Sequence, residues 1–191
     1  MNDVIKAIKD RRSIRQYEED VVSANDIEFL IDCAIHAPSG FNAQPWSFLV
    51  INDKEALHDL SKRCKKALIP LIESIKEKPD KAIDFLAFLR SPNTSIFYNA
   101  PVLIIVLADK NVMTADYDCA MAAQNMMLAA HSKGLGSCWI GAAQPALMDE
   151  EYLRELGAPV GYKVVAPIIF GYPDGEAEMP ERKEADIHWV R

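Results

Sequence analysis

Between Asp116 and Lys133 the chain reads as one helix that is apolar on nearly every side, and no other stretch narrows the choice of fold as far. Ala120, Met121, Ala122, Ala123, Met126, Met127, Leu128, Ala129 and Ala130 leave it no broad polar face, and Gly134 stands where a glycine commonly closes a helix. Such a helix has to be enclosed. Its small residues let other helices approach closely, from the same chain or from a second subunit, and its methionines read as packing residues rather than ligands. A chain of 191 residues supplies one domain, 1–191, with a full core around it. No repeat, low-complexity segment or linker divides the sequence.

Apolar runs at Ser47 to Ile51, Val102 to Ala108, Ser137 to Ile140 and Lys163 to Phe170 read as strands. All are far shorter than the roughly 20 residues a membrane helix needs, so no membrane span is expected. Helices are expected over about 3–9, from the Ser23 and Asp26 capping signal through Ile35, and over about 54–66. The helical pattern continues from Ala67 to Arg90 with breaks at Pro70 and Pro79, and the basic residues Lys62, Arg63, Lys65, Lys66, Lys76, Lys78 and Lys81 read as a solvated helix face. A further helix runs from Gln144 through Leu156 to Gly157. The tail from Ile187 to Arg191 is apolar and too short to fold alone, so it is expected to dock, for instance on a partner subunit.

A net charge of −7 argues against a nucleic-acid surface, because phosphate neutralisation needs a basic face. The first ten residues carry charges throughout and lack an apolar core of signal-peptide length, so a cytoplasmic protein is expected. Cys33, Cys64, Cys119 and Cys138 form no C-x-x-C and have no His at metal spacing, so neither a metal site nor a redox dithiol is expected.

Three segments carry chemistry. Arg11-Arg12-Ser13-Ile14-Arg15 puts three planar cationic forks and a hydroxyl within five residues, which is either a compact anion site or a solvated basic patch. Ala37-Pro38-Ser39-Gly40-Phe41-Asn42-Ala43-Gln44-Pro45-Trp46 can be neither helix nor good strand. It reads as a rigid polar loop whose Asn42 and Gln44 amides each donate and accept, suited to a ligand edge such as a flavin pyrimidine ring, or else as a turn satisfying its own backbone. Gly134-Leu135-Gly136-Ser137-Cys138-Trp139-Ile140-Gly141 is no dinucleotide fingerprint: its glycines follow a helix, and the third comes five residues after the second. There Gly141 reads as a point of close approach by backbone or a flat ligand.

In this order and spacing the segments resemble the nitroreductase family of FMN-dependent oxidoreductases. Arg11 to Arg15 is similar to that family's N-terminal flavin motif, and Pro38 to Trp46 to its P-S-x-x-N-x-Q-P-W loop. Gly134 to Gly141 resembles the strand beside the isoalloxazine ring, and Gly171-Tyr172-Pro173 with Arg182 and Lys183 resembles the C-terminal phosphate site. The resemblance implies an α+β fold, with a central, mainly antiparallel sheet flanked by helices, assembled as an intertwined homodimer with FMN at the interface. It implies that Arg11, Arg12 and Ser13 face phosphate and ribityl, and Arg15 the pyrimidine edge. Pro38, Ser39, Asn42 and Gln44 would come from the other subunit. Ile140 and Gly141 would lie along the flavin, with Arg182 and Lys183 returning to the phosphate. No side chain need act as a catalytic nucleophile, since the cofactor carries the chemistry.

The activity so implied is hydride transfer from NADH or NADPH through FMN to a small-molecule acceptor, such as a nitroaromatic or quinone, with ping-pong kinetics. The same fold also suits reductive dehalogenation, azoline oxidation or flavin cleavage, and a flavin-binding sensor or carrier without turnover is the alternative of a different class.

Overall fold

The computed structural model describes residues 2–190. In chain order its elements are α1 (Asp3–Asp10), α2 (Ala24–Ile35), β1 (Trp46–Ile51), α3 (Lys54–Glu73), α4 (Asp80–Arg90), β2 (Val102–Asp109), α5 (Ala115–Ser132), β3 (Gly136–Trp139), α6 (Gln144–Leu147), α7 (Glu150–Glu155) and β4 (Tyr162–Gly171). Among the described residues four strands form one antiparallel sheet in the order β1-β2-β4-β3, so the α+β expectation holds.

The sheet is covered on both faces, and β2 shows why its sequence is an unbroken apolar run. Successive side chains point to opposite faces. Val102, Ile104, Val106 and Ala108 therefore join one core layer with α2 and α5, while Leu103, Ile105 and Leu107 join the other with α3 and α4. On α5, Ala115, Cys119, Ala122, Ala123, Met126 and Ala130 are all buried, whereas Tyr117 and Met121 are exposed, so the expected enclosure holds for one face and leaves the other uncovered within the single chain. The β2–β4 register shifts between Val106 and Leu107. Val165 is the extra residue, and it shares a core layer with neighbouring Ala166 instead of alternating with it. The Gln144 amide donates to the Val165 carbonyl at 3.3 Å, tying α6 to this irregularity.

Three expectations are corrected. Pro70 does not break its helix: α3 continues to Glu73, with the proline exposed in the last turn and its own carbonyl accepting from the Ser74 N–H at 3.0 Å. The helix expected from Gln144 to Leu156 is two short ones, since the Asp149 carboxylate accepts from the Glu151 and Tyr152 N–H groups and starts α7 afresh. The basic face of α3 is partly structural. Half-buried Lys65 donates to the Ser91 carbonyl at 2.9 Å and the Thr94 hydroxyl at 3.0 Å at the end of α4. Arg63 pairs with Asp149 and lies 3.6 Å over the Tyr152 ring. In the tail, Ile187 and Val190 are exposed within the single chain; Arg191 lies outside the described residues.

Among the described residues no helix is long and apolar enough to cross a membrane, and no group of three His, Cys, Asp or Glu could hold a metal ion.

Candidate functional site

The arginine segment is seated on the free edge of the sheet. Chain leaves α1 at Arg11, and Ser13 then pairs with Ser137 of β3 in a parallel bridge, the Ile14 N–H donating to the Ser137 carbonyl at 3.0 Å. The approach is close: a Cβ on Gly136 would stand 2.7 Å from the Ile14 side chain. Further along, the Tyr17 hydroxyl donates to the Ile14 carbonyl at 2.8 Å, and Gln16 and Glu18 exchange backbone hydrogen bonds with Asp174 and Tyr172 beyond β4. The segment is thus fixed along its length by backbone contacts, which leaves its side chains available.

Arg11, Arg12 and Ile14 line an open cavity of about 630 Å³, together with His131, Ser137 and Met179. Two polar atoms there are buried and have no hydrogen-bond partner among the described residues: Arg11 Nη1 and Ser137 Oγ. Burial holds the Arg11 pKa below its ordinary value; the nearby Cys138 opposes that shift, while like charge on Arg12 and Arg182 adds to it. A buried guanidinium nitrogen with no acceptor is costly, and an anion relieves the cost. Arg12 is differently placed, since its Nη1 already donates to the Lys9 and Arg11 carbonyls at 2.6 and 2.7 Å. Arg15 is exposed, with its guanidinium 5.9 Å from the Tyr98 ring centroid.

The proline-rich loop lies away from that cavity. None of Pro38, Ser39, Asn42 and Gln44 lines it. The Gln44 N–H donates to Ser39 Oγ at 3.0 Å, and the Gln44 amide to Asn42 Oδ1 at 3.2 Å. Phe41, Asn42 and Gln44 all have left-handed backbone, with φ of 52, 55 and 45°, and Phe41 is fully exposed. Non-glycine residues hold such angles only where other contacts impose them.

The remaining expected residues divide. Ile140 is buried in the core beneath the sheet, its N–H donating to the Pro167 carbonyl at 2.8 Å, so only its backbone can face a ligand. Gly141 is exposed, and a Cβ there would meet no atom of the described residues within 4 Å, so none of them crowds it. Arg182 is close enough to Arg11 for repulsion to count, while Lys183 is simply exposed. Sequence reasoning missed Ser137 and His131 as cavity residues, along with the acidic lining residues Asp10 and Glu176. The signal for Ser137 was a polar residue inside an otherwise apolar strand.

The chain belongs to the Nitroreductase family, whose sequence profile matches residues 8–172. It is 33% identical over 187 residues to a protein of Archaeoglobus fulgidus provisionally named an NADH dehydrogenase/NAD(P)H nitroreductase, covering 95% of this chain and 91% of that one. It is 26% identical to an iodotyrosine deiodinase of Thermotoga neapolitana, with 95% and 94% covered. In structure it resembles a nitroreductase with bound FMN from Bacteroides fragilis, at a TM-score of 0.83 and 31% identity over the whole of both chains.

Proposed function

We propose that this chain is an FMN-dependent oxidoreductase that passes a hydride from NADH or NADPH to a small acceptor, such as a nitroaromatic or quinone, as a homodimer with ping-pong kinetics. The observation that carries the reading is the buried, unpaired Arg11 Nη1 in a cavity shared with Ser137 and Arg12. That donor set fits a phosphate monoester. When bound, FMN supplies the ring that accepts a hydride and gives it up again.

The chain's own residues bind and orient. Arg11 holds the phosphate, with Arg12 and Ser13 toward the ribityl chain and Arg182 or Lys183 closing over from the tail. Arg15 sits at the pyrimidine edge, where a fixed cation stabilises negative charge developing on the ring. Gly141 leaves room beside the ring plane, and Pro38, Ser39, Asn42 and Gln44 come from the second subunit. No side chain serves as nucleophile, and the thiols agree with this: burial pushes Cys64 and Cys119 up to about 12.

Reductive dehalogenation is the second reading, favoured by the likeness to the deiodinase. A visible absorption spectrum of the purified protein, taken before and after anaerobic addition of NADH and then NADPH, tests the main one. The expected result is a flavin band that bleaches with one donor. A band that persists would favour a carrier, and no band even with added FMN would sink the proposal.

A further inference from the structure

A carboxylate stands where the fold least favours one. Asp118, one turn into the central helix α5, is only 2% exposed and is flanked on the helix by buried Ala115, Cys119 and Ala122. Acidic residues are seldom buried so completely unless they are engaged. Its two partners identify its task. The Gly40 N–H donates to both carboxylate oxygens, at 3.2 and 3.3 Å, and the Thr114 hydroxyl donates to Oδ2 at 2.8 Å. Thr114 occupies the N-cap position of α5, yet its side chain does not cap the helix. Its hydroxyl is turned to Asp118 instead. Gly40 is pressed so close that a Cβ there would stand 2.6 Å from Thr114 Oγ1.

This clamp grips the loop one residue before its left-handed stretch. Phe41, Asn42 and Gln44 hold strained angles on an exposed surface, where the loop's own hydrogen bonds run within the loop: Asn42 and Ala43 N–H to the Ser39 and Gly40 carbonyls, the Gln44 N–H to Ser39 Oγ and the Gln44 amide to Asn42 Oδ1. Strain of this kind persists only when the surroundings over-determine it. The buried face of the central helix supplies that restraint through Asp118. We infer that Asp118 is a positioning residue, which acts through Gly40 and Thr114 to hold Ser39 and Asn42 in the shape that receives FMN. This rests on the proposed reading in which the loop contacts the flavin.

The test is FMN titration of the apoprotein, followed by flavin fluorescence quenching, alongside thermal unfolding. Asp118→Ala is expected to weaken FMN about tenfold, the scale for loss of a hydrogen bond to a charged acceptor. Asp118→Asn keeps an acceptor for Gly40 and a donor for Thr114, and is expected to restore binding to within about threefold of the original. Combining Asp118→Ala with Asn42→Ala should weaken FMN no more than the stronger single change, because both act through one loop. Thr114→Val, which removes one donor at constant volume, gives the same readout with a smaller loss should Asp118→Ala fail to fold. Unaltered binding in Asp118→Ala and Thr114→Val, or fully additive losses in the double variant, overturns the inference while leaving the flavin site standing. Absence of FMN binding by the unaltered protein, or an Asn42→Ala variant that binds normally, defeats the loop's place in the site and the inference with it.

Discussion

The arginine segment and the proline-rich loop form the two halves of the proposed site, and they are built in opposite ways. The first is stitched to the sheet by backbone hydrogen bonds from Ile14, Gln16 and Glu18, with a buried donor left unmatched at Arg11. The second stands on the surface with three left-handed residues and a fully exposed Phe41, anchored by a buried carboxylate behind it. One half offers an unmatched cationic donor in a cavity, as an anion site would. The other is a projecting loop whose Pro38, Ser39, Asn42 and Gln44 do not line that cavity, which fits the proposal that it serves a neighbouring subunit. In the proposed dimer each projection meets the other chain's anion cavity.

The largest expected effect breaks the first half. Arg11→Ala removes a half-buried cation proposed to meet the phosphate, and FMN affinity should fall about a hundredfold, the upper end for a charge-assisted hydrogen bond. Riboflavin, which has no phosphate, should bind the variant as it binds the original. Equal losses for FMN and riboflavin would remove Arg11 from the phosphate.

Asn42→Ala tests the second half, and a smaller loss of about threefold to tenfold is expected for a neutral amide contact. Its value lies in mixed dimers that carry Arg11→Ala on one subunit and Asn42→Ala on the other. A loop that crosses between subunits puts both changes in one site and leaves the second untouched, so titration should show one site of unaltered affinity. Two weakened sites and no normal one would show that the loop serves its own chain.

The same contrast explains what could be read in advance. Helix α5 was legible because its composition marks it as central, and β2 because its run of seven residues, Val102 to Ala108, is apolar on both faces. The arginines and the loop were legible because both are local clusters with few structural uses. Ser137 and Asp118 were not. Each owes its meaning to a partner distant in sequence: Ser137 to the bridge with Ser13, Asp118 to Gly40. Read along the chain, Asp118 is merely an acidic residue in the first turn of a helix, where acidic residues are common. The corrections at Pro70 and Asp149 have another cause. Both turn on where within a helix a residue falls, which periodicity does not fix to within a turn.

The smallest expected effect sharpens the edge of the anion cavity. Arg182 lies near enough to Arg11 for their charges to repel, whereas no such contact involves Lys183, and both are exposed. Two like charges held close together without an anion work against each other; an anion between them reverses the sign of that interaction. Arg182→Ala is therefore expected to weaken FMN about threefold at low salt, with the loss fading as the salt is raised, because exposed charges are screened within about 10 Å at 0.1 M. Lys183→Ala should leave affinity unchanged at either salt. A larger loss at Lys183 than at Arg182 would hand the phosphate contact to the neighbouring residue. A loss at Arg182 that persists in high salt would mean that the tail closes over the cavity and buries the contact when FMN binds.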